Sequence, residues 1–254
     1  GLVDAAWPLT PRPPEIPPWE SLTAEEQRRY DDMMAIYAAM IEEIDDSVGT
    51  LVAALKERGV FDNTLILFMS DNGSNAESGV KGRYQGEKPG DPHSNVFIGQ
   101  CWAHLGNTPF RKYKHYNHEG GIATPLIAHW PRGIANDSPG IDWRTTPAHL
   151  IDVMATVVEA GEAAYPAEFQ GHAILPLEGR SLLPVFQGER LERPLFWEHE
   201  GNAAVRAGDL KLVRQGRQGA WELYDLAQDR TEQNDLAAAM PAKARELQAQ
   251  WEDW

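Results

Sequence analysis

The sequence contains one cysteine in 254 residues, and this residue, Cys101, excludes an internal disulfide framework and a cysteine-rich zinc site. No apolar run approaches the roughly 18 residues that a membrane-spanning helix needs, so we expect no membrane span. Basic residues are scarce, with 23 Lys and Arg against 38 Asp and Glu and a formal charge of −15. Because nucleic-acid phosphates attract a basic face, we expect no nucleic-acid partner.

Residues 1–22 are rich in proline, which lacks the backbone donor that helices and central strands require, and they predict an extended arm. Thr23 and Glu26 then form a capping box. Apolar residues recur after it at helical spacing as far as Leu55, and Gly59 supplies a stop. This pattern predicts one long amphipathic helix.

Two short apolar runs, at residues 65–69 and 125–130, predict strands that are buried on both faces. A long helix that leads into such a strand is typical of a crossover unit, so we expect an α/β fold with a mostly parallel sheet. A helix from Thr146 to Gly161 should follow the second strand. Residues 73–121, between the strands, have weak periodicity, and so long a loop in a compact domain is usually functional or disordered.

The C-terminal part has a different pattern. A loop-rich linker is expected as far as residue 193, and four short runs separated by glycine-containing turns then predict an antiparallel meander. A final helix should run from Pro241 to Trp251. We therefore divide the chain into an arm at 1–22, part of an α/β domain at 23–165, and a linker with a small α+β subdomain at 166–254.

A polar motif, Ser70-Asp71-Asn72-Gly73, stands where the first predicted strand ends. Ligands of open α/β sheets gather at the carboxyl ends of strands, and a carboxylate beside an amide oxygen suits calcium or magnesium. Asn-Gly is also a common turn, and spacing alone favours that interpretation. From the residues themselves both interpretations stay open.

Residues 81–118 form a basic window in this acidic chain, with six Lys or Arg and two Asp or Glu, a net +4. A basic pocket would suit a small anion at short range. A solvated surface is nevertheless the more common explanation of such a cluster.

Three motifs in order and at consistent spacing resemble the sulfatases, particularly the bacterial arylsulfatases of the alkaline phosphatase superfamily. They are Ser-Asp-Asn-Gly at residues 70–73, the string at 107–122 that ends in Glu-Gly-Gly-Ile, and Thr-Pro-Leu-Ile-Ala-His-Trp-Pro at 124–131. Further matches extend the resemblance to roughly residues 30–254. The fold that it implies is the C-terminal part of an alkaline-phosphatase-like sandwich. The resemblance leaves localisation open between a bacterial periplasm and the cytoplasm.

The resemblance implies a calcium-dependent sulfatase that hydrolyses sulfate esters, of aryl groups or sugars. Asp71 and Asn72 match one pair of calcium ligands, and Lys114 matches the catalytic lysine that binds the sulfate ester. A fixed cation there can stabilise charge that bond cleavage moves onto oxygen. His115, next to Lys114, is a weaker candidate for a substrate contact.

The resemblance also implies residues that the sequence lacks. Neither Cys-x-Pro-x-Arg nor Ser-x-Pro-x-Arg, the motif whose first residue the family converts to formylglycine, occurs here. Cys101 lies outside such a motif and is expected to be a packed small residue. The chain begins at Gly1, so we expect the formylglycine and the other calcium ligands in an N-terminal sulfatase segment or chain. Alone, this chain should bind calcium weakly or not at all and should be inactive.

Other candidates are less convincing. Asp31-Asp32 and Asp45-Asp46 look like a metal-binding aspartate pair, but both lie in the predicted long helix, where solvent-facing carboxylates are expected. The remaining histidines of the loop form no recognised site: His93, His104 and His118. Asn136-Asp-Ser138 fits the glycosylation pattern only weakly.

Two alternatives to a sulfatase stay open. One is a hydrolase of phosphate or phosphonate esters from the same superfamily, and the other is a non-catalytic remnant that acts by binding or assembly. The natural substrate and the oligomeric state are not indicated by the sequence.

Overall fold

The computed structural model describes residues 3–135 and 141–254, so the weak glycosylation pattern at Asn136 lies outside the described residues. The described part is an α/β structure with four small antiparallel sheets. Short 3-10 turns lie at Trp19–Ser21 and Phe61–Asn63. The helices are α1 (Ala24–Glu57), α2 (Gly99–Gly106), α3 (Glu119–Ile122), α4 (Ile151–Ala160), α5 (Leu183–Phe186) and α6 (Pro241–Asp253). The strands are β1 (Ile66–Met69), β2 (Arg83–Gln85), β3 (Asn95–Phe97), β4 (Leu126–His129), β5 (Glu168–Phe169), β6 (His172–Ala173), β7 (Leu195–His199), β8 (Asn202–Ala207), β9 (Leu210–Arg214) and β10 (Trp221–Asp225).

Helix α1 begins and ends where the sequence predicts. The Glu26 backbone N–H donates to the Thr23 hydroxyl, and the Thr23 N–H donates to the Glu26 carboxylate, which completes the capping box. Gly59 has a φ of +68°, a left-handed conformation that glycine adopts easily, just after the helix. Among its residues Tyr30 and Met33 are buried, so the described chain leaves most of the apolar stripe uncovered.

The predicted parallel sheet is not found among the described residues. Strands β1 and β4 do form at the predicted places, but they pair directly and antiparallel, with Met69 opposite Leu126. The Gly73 N–H donates to the Gly121 carbonyl at 2.9 Å, so the chain enters β4 from the same end at which it leaves β1. A parallel pair would need a crossover back to the other end.

The ribbon of β1 and β4 is half-buried on one face and open on the other, so the prediction of burial on both faces was wrong for the described chain. On one face the strands pack against α5 of the predicted linker, chiefly Leu182, Val185 and Phe186. On the other face the cross-strand pair Phe68 and Ile127 is 46% and 61% exposed. An uncovered apolar pair of this kind needs another partner for burial.

The connecting segments contain more regular structure than the sequence predicted. Residues 73–121 include a short hairpin and two helices, and the linker includes the β5–β6 hairpin and α5. Helix α4 begins at Ile151 rather than Thr146, and in its first turn the Asp152 carboxylate accepts a hydrogen bond from the His149 N–H.

The C-terminal meander and final helix are confirmed. Strands β7 to β10 form one antiparallel sheet in sequential order, and α6 packs on one face of it. That face carries Val205, Leu212 and Leu223, which contact Leu247 of the helix. Side chains alternate along a strand, so Lys211 of β9 lies on the opposite face, beside its cross-strand partner Tyr224.

The proline-rich arm lies against the loop around Phe110, and from residue 3 to its 3-10 turn it has no helix or strand. Trp7 packs on Phe110 with ring centroids 6.0 Å apart, and the Gln233 side chain donates to the Pro8 carbonyl. A cavity of about 460 Å³ separates part of the arm from the loop at Lys112. Of the helices in the described ranges, none offers an apolar stretch that could cross a bilayer.

Candidate functional site

The turn after β1 is held against the loop that carries Lys114. The Lys114 backbone N–H donates to the Ser74 carbonyl at 3.1 Å, and the Ser74 N–H donates to the Asn107 side-chain oxygen at 3.1 Å. The Gly73 N–H bond to Gly121 adds a third connection. The structure therefore brings the Asp71 and Lys114 segments together through backbone contacts.

Three glycines make this approach possible. A methyl group on Gly73 would overlap the Gly120 carbonyl, one on Gly120 would overlap the Arg111 and Lys112 carbonyls, and one on Gly121 would overlap the Tyr116 carbonyl. These glycines are needed for close approach of backbones rather than for an unusual φ. The Asn-Gly turn and the Glu-Gly-Gly motif are thus two sides of one packing contact.

The oxygen ligands expected for calcium stand at the rim of this contact. Asp71 is exposed and Asn72 is half-buried, and within the described ranges neither side chain has a hydrogen-bond or ion-pair partner. A carboxylate and an amide oxygen fit calcium in kind. Calcium takes six to eight oxygens, so this pair would form only part of a coordination shell.

Lys114 reaches a carboxylate in the structure. Its Nζ lies 2.6 Å from Glu77 Oε1, and its side chain is about one-third exposed, at 32%. The hydrogen bond from Lys114 lowers the pKa of Glu77. A substrate anion that approached Lys114 would have to take the place of Glu77.

His115 adopts an uncommon backbone conformation with a φ of +84°. Its imidazole faces the turn between β7 and β8, where Nδ1 lies 3.3 Å from His199 Nε2 and 3.3 Å from Glu200 Oε2. On its other side, Nε2 lies 3.6 Å from Glu77. The sequence did not indicate Glu77, His199 or Glu200, because none of them stands in a recognisable motif.

A buried ion cluster fixes the end of the same loop. Lys211 is fully buried, and its Nζ lies 2.7 Å from Glu119 and 2.8 Å from Glu232. The Glu119 N–H also donates to Glu232 at 2.8 Å, and Arg230 forms a further ion pair with Glu119. Burial lowers the pKa of Lys211, and Glu232 opposes that effect by favouring the charged amine.

A second cluster lies beside the first. Arg111 donates to Glu222, to the Tyr224 hydroxyl and to the Glu232 carbonyl, while Tyr224 donates to Glu222 at 2.6 Å. Burial alone would raise the pKa of Glu222, but hydrogen bonds with His118 and Tyr224 lower it to about 2. Ion pairs therefore connect the loop to the C-terminal sheet at two places, Arg111 and Glu119.

The basic window of residues 81–118 does not form one pocket. Lys81 pairs with Glu26 of α1, Arg111 pairs with Glu222 of β10, and Lys114 pairs with Glu77. The chain folds these residues onto different elements, so each charge meets a separate partner.

The less convincing candidates have ordinary environments. The aspartates of α1 are exposed, and Cys101 is half-buried with its sulfur 3.6 Å from the Tyr30 hydroxyl. His118 is buried against Glu222 at 3.2 Å. Of the four loop histidines considered, His115 is the one that joins other possible ligands.

Two family models match the chain. The model described as Sulfatase covers residues 12–163, and the model for N-sulphoglucosamine sulphohydrolase, C-terminal, covers residues 110–253. An uncharacterized sulfatase of Schizosaccharomyces pombe is 31% identical over 253 residues, which are 92% of this chain and 45% of that protein. An arylsulfatase of Klebsiella aerogenes is 33% identical over 178 residues, which are 65% of this chain and 37% of that protein. The chain thus spans less than half the length of these relatives.

Solved structures share the fold. The crystal structure of Ps i-CgsB in complex with k-i-k-neocarrahexaose matches with a TM-score of 0.64 and 25% identity over 92% of this chain and 44% of that chain. The phosphonate monoester hydrolase of Silicibacter pomeroyi matches with a TM-score of 0.53 and 22% identity, over 82% of this chain and 38% of that one.

The glycine contact gives a stability prediction. Gly120→Ala should lower the free energy of unfolding by about 1–3 kcal/mol, because the added methyl must push two carbonyl groups apart. As a control, Gly49→Ala in α1 meets nothing within 4 Å and should raise it by about 0.5–1 kcal/mol. Urea unfolding at neutral pH measures both values. Similar effects in the two variants would contradict the close contact.

The low pKa of Glu222 gives a pH prediction. A carboxyl group whose folded pKa is depressed stabilises the fold above its unfolded value, and this stabilisation is lost as the pH falls from 4.5 toward about 2. Over that range the wild type should lose its stability advantage over Glu222→Gln. Urea midpoints at several pH values measure this, with the exposed Glu159→Gln as the control. If the wild type stayed more stable than Glu222→Gln by the same amount down to about pH 2, the low pKa of Glu222 would be refuted.

Proposed function

The chain belongs to the sulfatase family, and we propose that it forms the C-terminal portion of a calcium-dependent hydrolase of sulfate esters. In this proposal Asp71 and Asn72 supply calcium ligands and Lys114 binds the sulfate group. The substrates would be aryl or sugar sulfates. The nucleophile, expected to be formylglycine, would come from an N-terminal sulfatase segment or chain.

One observation carries this proposal. The segment with the expected calcium ligands and the segment with the expected sulfate lysine are joined by the Lys114 N–H to Ser74 bond and the Gly73 N–H to Gly121 bond. These residues are far apart in the sequence, and the bonds do not involve their functional side chains. This arrangement supports the proposal that both segments belong to one site, at the end of the ribbon where β1 ends and β4 begins.

The chemistry assigned to this chain is electrostatic. Lys114 would exchange Glu77 for a sulfate oxygen and would then stabilise the negative charge that develops as the ester bond breaks. Glu77 would hold the lysine side chain in place before substrate binds. When bound, calcium would neutralise part of the sulfate charge, and Asp71 and Asn72 are the residues of this chain that would hold it.

Uncovered apolar surface supports an N-terminal partner segment. Met40, Ile44 and Leu51 of α1 are each about half exposed, and the pair Phe68 and Ile127 is open on the ribbon. Large exposed apolar faces usually mark surfaces that another protein segment covers. We propose that the N-terminal part of the sulfatase domain packs on these faces and completes both the core and the metal shell.

A phosphonate or phosphate ester hydrolase is the second candidate. Its support is the fold that the chain shares with a phosphonate monoester hydrolase. Lys114 and a calcium shell could bind either type of tetrahedral anion. A non-catalytic remnant is the third possibility, and the two experiments below separate all three.

The isolated 254-residue chain should not hydrolyse an aryl sulfate, because its sequence contains no nucleophile motif of the family. The complete protein should hydrolyse it and should prefer sulfate to the matching phosphate and phosphonate esters. Rates on the three matched esters, for both proteins, measure this. Turnover by the isolated chain would overturn the requirement for an N-terminal nucleophile. A complete protein inactive on all three esters would indicate a remnant.

Lys114→Ala in the complete protein should lower kcat/KM for the sulfate ester by about 10²–10³, the usual effect of losing one group that stabilises transition-state charge. The control is Lys88→Ala, which removes an exposed lysine with no ion pair in the described part of the chain. The control should keep the wild-type rate. If Lys114→Ala also kept that rate, Lys114 would not belong to the sulfate site.

A further inference from the structure

We propose that His115, His199 and Glu200 form a binding site for one divalent transition-metal ion, with Zn²⁺ as the test ion. Each residue offers one ligand atom, and the three atoms lie within 4.8 Å of one another. His115 belongs to the loop of Lys114, while His199 and Glu200 lie at the turn between β7 and β8. Two imidazoles and a carboxylate favour zinc, copper or nickel over calcium, which prefers oxygen ligands.

The distances suit tetrahedral coordination. His115 Nδ1 lies 3.3 Å from His199 Nε2 and 3.3 Å from Glu200 Oε2. With metal–ligand bonds of about 2.0–2.1 Å, neighbouring ligands of a tetrahedral zinc ion are about 3.3 Å apart. Both distances therefore match edges of such a tetrahedron. His199 and Glu200 are exposed, so water has access as a fourth ligand.

The environment of His115 selects the nitrogen that would bind metal. Its Nε2 faces the Glu77 carboxylate at 3.6 Å, on the side of the ring away from His199. In many metal sites the ring nitrogen that does not bind the metal donates its proton to a carboxylate, and Glu77 stands on that side of the ring. Nδ1 points into the group of His199 and Glu200, so it is the nitrogen that would bind the metal.

The backbone holds the two histidines in place before any ion binds. The buried Asn202 donates one hydrogen bond to the His115 carbonyl at 2.8 Å and another to the His199 carbonyl at 3.0 Å. The two-residue turn of Glu200 and Gly201 has positive φ values of 51° and 86°, which are typical of a tight hairpin. Because one clamp and one tight turn fix the backbone that carries the three ligands, binding has to order only their side chains.

This site shares the Lys114 loop and Glu77 with the proposed sulfatase site, but its metal ligands are different atoms. It uses neither the Lys114 amine nor the oxygens of Asp71 and Asn72. Its test is a binding measurement, so loss of sulfatase activity and loss of zinc binding can be distinguished.

Calorimetric titration of the metal-free 254-residue chain with Zn²⁺ tests the proposal. We expect one ion per chain, and visible absorption of the Co²⁺ complex should show tetrahedral coordination with nitrogen ligands. His199→Ala and the nearly isosteric Glu200→Gln should each weaken Zn²⁺ affinity by about tenfold or more, as the loss of one of three protein ligands requires. At one Zn²⁺ concentration the metal should also raise the Tm of the wild type by more than that of His199→Ala.

Matched controls separate this site from other metal sites. His172→Ala removes an exposed histidine of β6, outside the group, and Asp71→Asn alters the expected calcium pair. Both should bind Zn²⁺ as the wild type does. Far-UV circular dichroism without metal shows whether each variant is folded. The proposal is overturned if the wild type binds no Zn²⁺, if folded His199→Ala and Glu200→Gln bind it unchanged, or if Asp71→Asn alone abolishes binding.

Discussion

The charge of Lys211 is completely buried, and the position of the candidate site depends on how that charge is neutralised. Unpaired, it would cost several kcal/mol, so Glu119 and Glu232 must stay next to it. Glu119 begins the helix whose glycines contact the turn after β1. The C-terminal sheet therefore holds the end of the Lys114 loop in position through Lys211. In this way the C-terminal subdomain contributes to the geometry of the candidate site.

Local signals gave a large part of the fold. The capping box of α1, the meander and the final helix depend on nearby residues, and the structure confirms them. Strand direction is different, because it depends on where a distant segment returns. The contact of Gly73 with Gly121, 48 positions apart, decides that β1 and β4 are antiparallel, and no local pattern carries that information.

The candidate site was predictable to the extent that motifs mark it. Asp71, Asn72 and Lys114 were identified through family motifs, and their roles remain proposals. Their neighbours could not be predicted in this way. Glu77 meets Lys114 across 37 positions, and His199 meets His115 across 84. Such pairs follow from the paths of the loop and of the β7–β8 turn, which only the folded chain defines.

The antiparallel ribbon has a consequence for how this protein family can change. Residues 70–125 leave the ribbon next to Met69 and re-enter it next to Leu126, so the ends of this long excursion are neighbours. The entropy of closing a loop rises only slowly with its length. Insertions at the exposed β2–β3 hairpin can therefore lengthen the excursion while its two anchors stay in place. Length can thus change within residues 70–125 while the contact of Gly73 with Gly121 is kept.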